Sequence, residues 1–194
     1  MELNSGEILN LRCFNDIDKH VASYLVSKSD VESPIFTALV MLLSNRIFKG
    51  DVCLDLSDIQ DASLADFFIE DDPDYDKCLN VKFPDKDELE KILKTHPATG
   101  NYTSGLPIVL DEKGRLYFNR FLEFELSLAD DILERSSSAD AIDTEGINSI
   151  FFKYFNKISE EADMQGIAAF LALRKRITVI SGGPGTGKTF VVVK

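Results

Sequence analysis

The sequence predicts a mainly helical N-terminal domain with small β elements, followed by the opening strand, loop and helix of an α/β domain. Three observations carry this prediction. Apolar residues recur at three- and four-residue spacing in several capped segments before residue 135. One well-marked hairpin lies among them. Near the C-terminus, the apolar run Ile177-Thr178-Val179-Ile180 leads into Gly182-Gly183-Pro184-Gly185-Thr186-Gly187-Lys188-Thr189, and Phe190-Val191-Val192-Val193 can begin a buried helix.

Taken in order, Leu11 to Ser27 places Phe14, Ile17, Val21 and Leu25 on one helical face, so an amphipathic helix is expected there. Ser33-Pro34 is a helix start, with Ser33 as N-cap and Pro34 at the first helical position. That helix buries Ile35, Ala38, Leu39, Leu42, Leu43 and Ile47, and stops near Gly50. Val52-Cys53-Leu54-Asp55-Leu56 alternates as a short strand does. From Asp61 to Lys91 eleven carboxylates face four lysines. Asp72, Asp74 and Asp76 have the one-three-five spacing of a calcium loop. The sixth and twelfth positions, which need Gly and Glu, hold Lys77 and Phe83 instead. The segment therefore reads as an exposed acidic loop. Asp85-Lys86-Asp87-Glu88 is a capping box opening a helix through Leu89, Ile92 and Leu93, which ends before Pro97.

Ala98 to Gly105 reads as a polar loop. Ile108-Val109-Leu110, a turn at residues 111–114 and Leu116-Tyr117-Phe118 form the hairpin. A long helix follows, expected to bury Phe121, Leu122, Phe124, Leu128, Ile132 and Leu133. Ser136 to Asp140 is the best linker candidate, and Ile147 to Phe155 is another apolar helix whose Phe151, Phe152 and Phe155 read as core. The domain division expected is thus 1–135, a linker and helix over 136–160, and the second domain from 161 to 194. No internal repeat of 20–50 residues is present.

Composition narrows the classes. A hydrophobic content of 44% with fourteen Phe is ample for a core. There is no basic-then-apolar signal at the N-terminus and no apolar run near 18 residues, so a soluble, cytoplasmic protein without membrane contact is expected. Cys13, Cys53 and Cys78 lack CxxC spacing, and His20 and His96 add no zinc pattern, so three reduced, mostly buried cysteines are expected. The net charge is −12. From Glu161 onward five basic residues oppose two acidic ones, which leaves −15 to the first 160 residues. Such a surface repels a phosphate backbone and suits a protein partner or a solvated scaffold.

The glycine-rich loop points to a nucleoside triphosphate. Glycines let successive backbone N–H groups turn toward a β-phosphate where a Cβ would collide. Lys188 is placed to reach the β- and γ-phosphate oxygens, and the Thr189 hydroxyl to ligate Mg²⁺. The helix opening there adds its positive end. Hydrolysis also needs a strand-end acid and an arginine, normally carried by later strands. Only five residues follow Thr189. The sequence therefore reads as the N-terminal portion of a larger motor, expected to be inactive alone.

Met164-Gln165-Gly166-Ile167-Ala168-Ala169-Phe170-Leu171-Ala172-Leu173, a basic step, and then Ile177 to Thr189 resemble the start of the motor in RecD-type helicases, the alpha subunit of exodeoxyribonuclease V. Leu42-Leu43-Ser44 with Gly50 to Leu56, and Leu106 to Leu110 with Gly114 to Phe118 and Arg120-Phe121, resemble that subunit's N-terminal region. The resemblance implies a RecA-like ATP-dependent 5′–3′ DNA helicase subunit. It would work with RecB-like and RecC-like subunits in recombinational repair of double-strand breaks. It implies that the N-terminal domain meets the scaffold subunit and that DNA is engaged by the full motor. It assigns Gln165 to the adenine edge, Gly182, Gly183, Pro184, Gly185, Thr186 and Gly187 to the phosphates, Lys188 to the β/γ oxygens and Thr189 to Mg²⁺, with ATP as cofactor. The family pattern differs at Met164 and Gly166, where an aromatic and a polar residue are expected. No nuclease site is proposed. Two alternatives stay open on the residues alone: a non-catalytic module binding a scaffold subunit, and an unrelated P-loop ATPase or kinase.

Overall fold

Ten consecutive residues, Phe36 to Asn45, are buried, and they set the architecture of the N-terminal part. The computed structural model describes residues 3–30, 32–137, 151, 153–155 and 163–193. These fall in two compact units, Met1–Glu125 and Leu126–Lys194.

In the first unit, helix α3 (Pro34–Phe48) is apolar around most of its circumference, as a central core helix must be. Ser33 caps it as the sequence predicts: its hydroxyl accepts from the Phe36 N–H at 3.2 Å, and Pro34 occupies the first turn. Helices α1 (Ser5–Leu9) and α2 (Asp16–Val26) pack on α3. The predicted helix from Leu11 therefore starts later, at Asp16, after a loop that buries Leu11 and Phe14. Within α2 the buried face is Asp18, Ala22 and Leu25, and Ile17 is exposed. The periodicity located the helix and most of its face, with Phe14 and Leu25 buried and Val21 packed against the core. Only Ile17 is misplaced, and the buried carboxylate of Asp18 beside it anchors the helix instead. That fully buried carboxylate accepts from Ser44 Oγ at 2.5 Å on α3 and from the Asn15 N–H at 3.0 Å.

The sheet is mixed and has four strands lying side by side in the order β1 (Leu54–Asp55), β4 (Arg115–Phe118), β3 (Ile108–Leu110) and β2 (Thr99–Gly100). Strand β1 (Leu54–Asp55) is shorter than predicted and pairs antiparallel with β4 (Arg115–Phe118). The hairpin of β3 (Ile108–Leu110) and β4 forms as expected, Gly114 supplying the positive φ (81°) of its turn. Strand β2 (Thr99–Gly100) joins β3 in parallel, inside the segment expected to be a polar loop. Leu116 and Ile108 face the main core, and Val109, Tyr117 and Leu122 form a second cluster with Cys53.

The acidic segment departs most from expectation. After α4 (Leu56–Ile59), it folds into a 3₁₀ turn (Leu64–Phe67) and α5 (Tyr75–Cys78). Leu64, Ala65, Cys78, Val81 and Phe83 enter the core while the carboxylates stay at the surface or find partners. Asp74, in the left-handed region at φ 64°, accepts from Arg12 Nε at 3.0 Å and from Lys77 Nζ at 2.9 Å. The Arg12 guanidinium above all, and then Lys77, hold the Asp74 carboxyl well below the usual carboxylate range. Helix α6 (Lys86–Thr95) starts where predicted, with the Asp85 carboxylate accepting from the Glu88 N–H at 2.9 Å.

After α6, His96 is buried and stacked on Phe36 with ring centroids 3.4 Å apart. Its Nδ1 accepts from the Ala98 N–H at 3.2 Å, which places the ring proton on Nε2. Burial lowers its pKa, because the imidazolium would be desolvated and the Nδ1 acceptor lost. The unfolded chain therefore binds a proton below about pH 6.5 that the folded chain resists. The stability from this site is complete above pH 6.5 and declines as pH falls, by at most about 1.4 kcal/mol per unit. Urea midpoints should fall between pH 7.5 and 5.5, and His96→Asn, which keeps an acceptor toward Ala98, should flatten the decline. An equal pH dependence in both chains rejects this account.

Helix α7 (Asn119–Ser137) forms over its predicted span, but only Leu122 of its apolar residues is buried. Phe124, Leu128, Ile132 and Leu133 are exposed and Phe121 is half-buried, contrary to the expectation of a core helix. Periodicity specifies a face, and burial needs a neighbour. In the second unit, α8 (Met164–Arg174) and α9 (Lys188–Val193) pack on each other. Residues 151 and 153–155 are helical, Phe151 stacking on Phe155 with centroids 5.1 Å apart. The rest of the predicted 147–155 helix, Phe152 and linker residues 138–140 lie outside the described residues.

Candidate functional site

The loop between α8 and α9 brings together the residues that the sequence singled out. No strand forms over Ile177 to Ile180. A strand exists by pairing, and the described residues offer this run no ladder partner. The turn that follows is nonetheless defined. Gly185 and Gly187 take φ of 78° and 81°, conformations that side-chain-bearing residues rarely adopt. Added Cβ atoms would also collide: at Gly182 with Thr186 Oγ1, 2.8 Å away, and at Gly187 with the Gln165 amide. Gly185 and Gly187 are therefore required by their backbone conformation, whereas a Cβ on Gly183 would meet only Thr186 Cγ2, 4.0 Å away.

Lys188 is the first residue of α9. Its Nζ donates to the carbonyls of Gly182 at 2.6 Å and Gly183 at 2.7 Å, so the ammonium lies across the mouth of its own loop. Thr186 Oγ1 donates to the Gly183 carbonyl at 2.9 Å. Pro184 sits at the exposed crest, and Thr189 follows Lys188 on α9 with an exposed side chain. Gln165, on α8 and 21 residues before Thr186, joins this group. Its Nε2 donates to the Thr186 carbonyl at 3.3 Å.

Asp163 positions Gln165, and the sequence reading missed it. Its carboxylate caps α8 by accepting from the Gln165 N–H at 3.1 Å and the Gly166 N–H at 3.0 Å. The signal was present: an Asp directly before an apolar helical run is an N-cap pattern. The same geometry accounts for Gly166, where a Cβ would meet the Asp163 carboxylate at 2.8 Å. An apolar cleft of about 530 Å³ lies in this unit, lined by Phe155, Leu173, Ile180 and Val191 among others.

Among the described residues no group of three or more His, Cys, Asp and Glu could hold a metal ion. No described helix is long and apolar enough to cross a membrane.

Comparison with known proteins gives a consistent result. Residues 10–117 match the family model described as the N-terminal domain of RecBCD enzyme subunit RecD. The chain is similar to proteins named RecBCD enzyme subunit RecD from three bacteria. It is 33% identical over 118 residues to that of Buchnera aphidicola subsp. Schizaphis graminum, covering 61% of this chain and 18% of the relative. It is 29% identical over 178 residues to that of Mycolicibacterium smegmatis, covering 91% and 28%. It is 32% identical over 83 residues to that of Haemophilus influenzae, covering 42% and 13%. The chain thus spans less than a third of the length of these relatives. The matched region takes in α2 through most of β4, and by it this chain belongs to the family of RecD N-terminal domains.

Proposed function

We propose that this chain is the N-terminal part of an ATP-dependent 5′–3′ DNA helicase subunit, acting with RecB-like and RecC-like subunits in recombinational repair of double-strand breaks in the cytoplasm. The observation that carries the reading is a RecD-type N-terminal domain followed in one chain by a lysine-bearing glycine loop that Gln165 touches. In this reading residues 1–135 meet the partner subunits, 136–160 connect, and 161–194 open a RecA-like motor domain. The charge of −15 over the first 160 residues supports a protein-facing role there, leaving DNA to the full motor.

The loop residues fit a nucleotide. Positive-φ glycines leave the backbone open to close approach by phosphate. Lys188 would exchange its two carbonyl contacts for β- and γ-phosphate oxygens, and its flexible stem allows that exchange. Gln165 would release the Thr186 carbonyl and turn its amide to the adenine edge. The Thr189 hydroxyl would join the phosphates in holding Mg²⁺, an ion that usually keeps few protein ligands. When bound, Mg²⁺ and ATP supply the phosphoryl group whose transfer drives translocation.

Co-expression with RecB-like and RecC-like subunits tests the partner role. The whole chain is expected to co-purify with them as a complex that survives gel filtration, and Lys188→Ala should leave that assembly intact. Failure to co-purify removes the partner role. Loss of assembly in Lys188→Ala removes the division of labour between the two halves.

A further inference from the structure

We propose that Cys13 and Cys78 form a redox-modification site, closing a reversible disulfide between the loop before α2 and helix α5 when the chain meets a low-molecular-weight disulfide such as oxidised glutathione. The proposal goes beyond the helicase reading and does not depend on it.

Four observations support it. The two sulfurs lie 3.4 Å apart, sixty-five residues apart in sequence, so bonding requires closing the gap by only about 1.4 Å to reach a normal S–S length. All three cysteines are free thiols, and Cys53 belongs with Tyr117 in the other apolar cluster. The backbone on both sides is already clamped. The Arg12 N–H and guanidinium donate to Asp74 at 3.0 Å, and Lys77 reaches the same carboxylate from the residue beside Cys78. Exposure divides the roles, since Cys13 is half-buried and Cys78 fully buried. Either sulfur can be the donor in the thiol–thiol contact, so the shared proton can sit on Cys78 while the accessible Cys13 is the thiolate.

The chemistry follows from that division. Cys13 loses its proton to solvent and attacks one sulfur of oxidised glutathione. The oxidant's S–S bond breaks, and one glutathione leaves as a thiolate that takes a proton from water. Cys78 then gives its proton to solvent, attacks Cys13 Sγ to form the intramolecular bond, and expels the second glutathione as a thiolate that takes up a proton. Two protein thiols are oxidised, and one small disulfide is reduced to two thiols. Closing so long a loop constrains the unfolded chain, which in the chain-entropy model corresponds to a rise in Tm of roughly 15 °C for a unit of this size.

The test uses the whole reduced chain exposed to oxidised glutathione under native conditions. The expected result is a mass loss of about 2 Da, the two hydrogens given up in one S–S bond. Non-reducing peptide mapping should link the Cys13 and Cys78 peptides and leave Cys53 free, and Tm should rise reversibly with reductant. Cys78→Ser puts a hydroxyl into the core, so Cys13→Ser carries the control. It should keep the reduced-state Tm and abolish the rise. A lasting glutathione adduct on Cys13, a linkage through Cys53, or an unchanged Tm after complete oxidation each overturns the proposal.

Discussion

Lys188→Ala is expected to weaken binding of Mg²⁺–ATP by roughly 10- to 100-fold. From Ser181 to Thr189 only Lys188 carries a side-chain charge. Its loss leaves the backbone N–H groups of the loop in place and removes the charge-assisted contact, an interaction of about 1.5–3 kcal/mol, or roughly one to two decades in affinity. The two carbonyl contacts that Nζ now makes are part of the unliganded state, so their loss also relaxes the loop. Lys188→Arg should fall between, because it keeps the charge on a larger, planar head that does not fit the same turn. Equilibrium titration with a fluorescent ATP analogue decides the matter. Equal affinity in wild type and Lys188→Ala would falsify the assignment of this loop to phosphate.

The second large effect concerns stability. Asp18→Ala should lower the unfolding free energy by about 2–3 kcal/mol. For a unit of some 125 residues that corresponds to a Tm lower by roughly 10 °C. The substitution removes the acceptor for Ser44 Oγ and for the Asn15 N–H, stranding a buried hydroxyl on α3 and uncapping α2. Asp18→Asn keeps one acceptor oxygen and the side-chain volume, so it should lose less. Thermal unfolding of the three chains is the check. If Asp18→Ala costs under about 0.5 kcal/mol, the range for a neutral surface change, the carboxylate is not the anchor of α2.

Several elements were legible because their causes are local. The Ser33-Pro34 start, the Asp85 cap and the turn at Gly114 each depend on a few neighbouring residues, and each formed where expected. The loop residues from Gly182 to Lys188 are likewise adjacent in sequence, so their gathering needs no long-range contact. Gln165 was different. Its contact with the Thr186 carbonyl is made across 21 residues, and its seat is the Asp163 cap. Family resemblance flagged that residue, and periodicity alone would have left it a surface glutamine.

The sequence by itself determined the mainly helical character of the N-terminal part, the position of α3 and the hairpin, and the glycine loop with its lysine. Tertiary structure decided which faces are buried. Within α2 the expected Leu25 is buried but Ile17 is exposed, and the neighbouring Asp18 is buried because Ser44 of α3 stands opposite its carboxylate. In the acidic segment, Cys78, Val81 and Phe83 turned inward while Asp74 found Arg12 sixty-two residues away. Helix α7 has an apolar stripe that the described structure leaves uncovered. The physical reason is the same each time. Caps, turns and glycine loops are fixed by bonds among neighbours, whereas burial and ion pairing depend on which distant segment packs opposite.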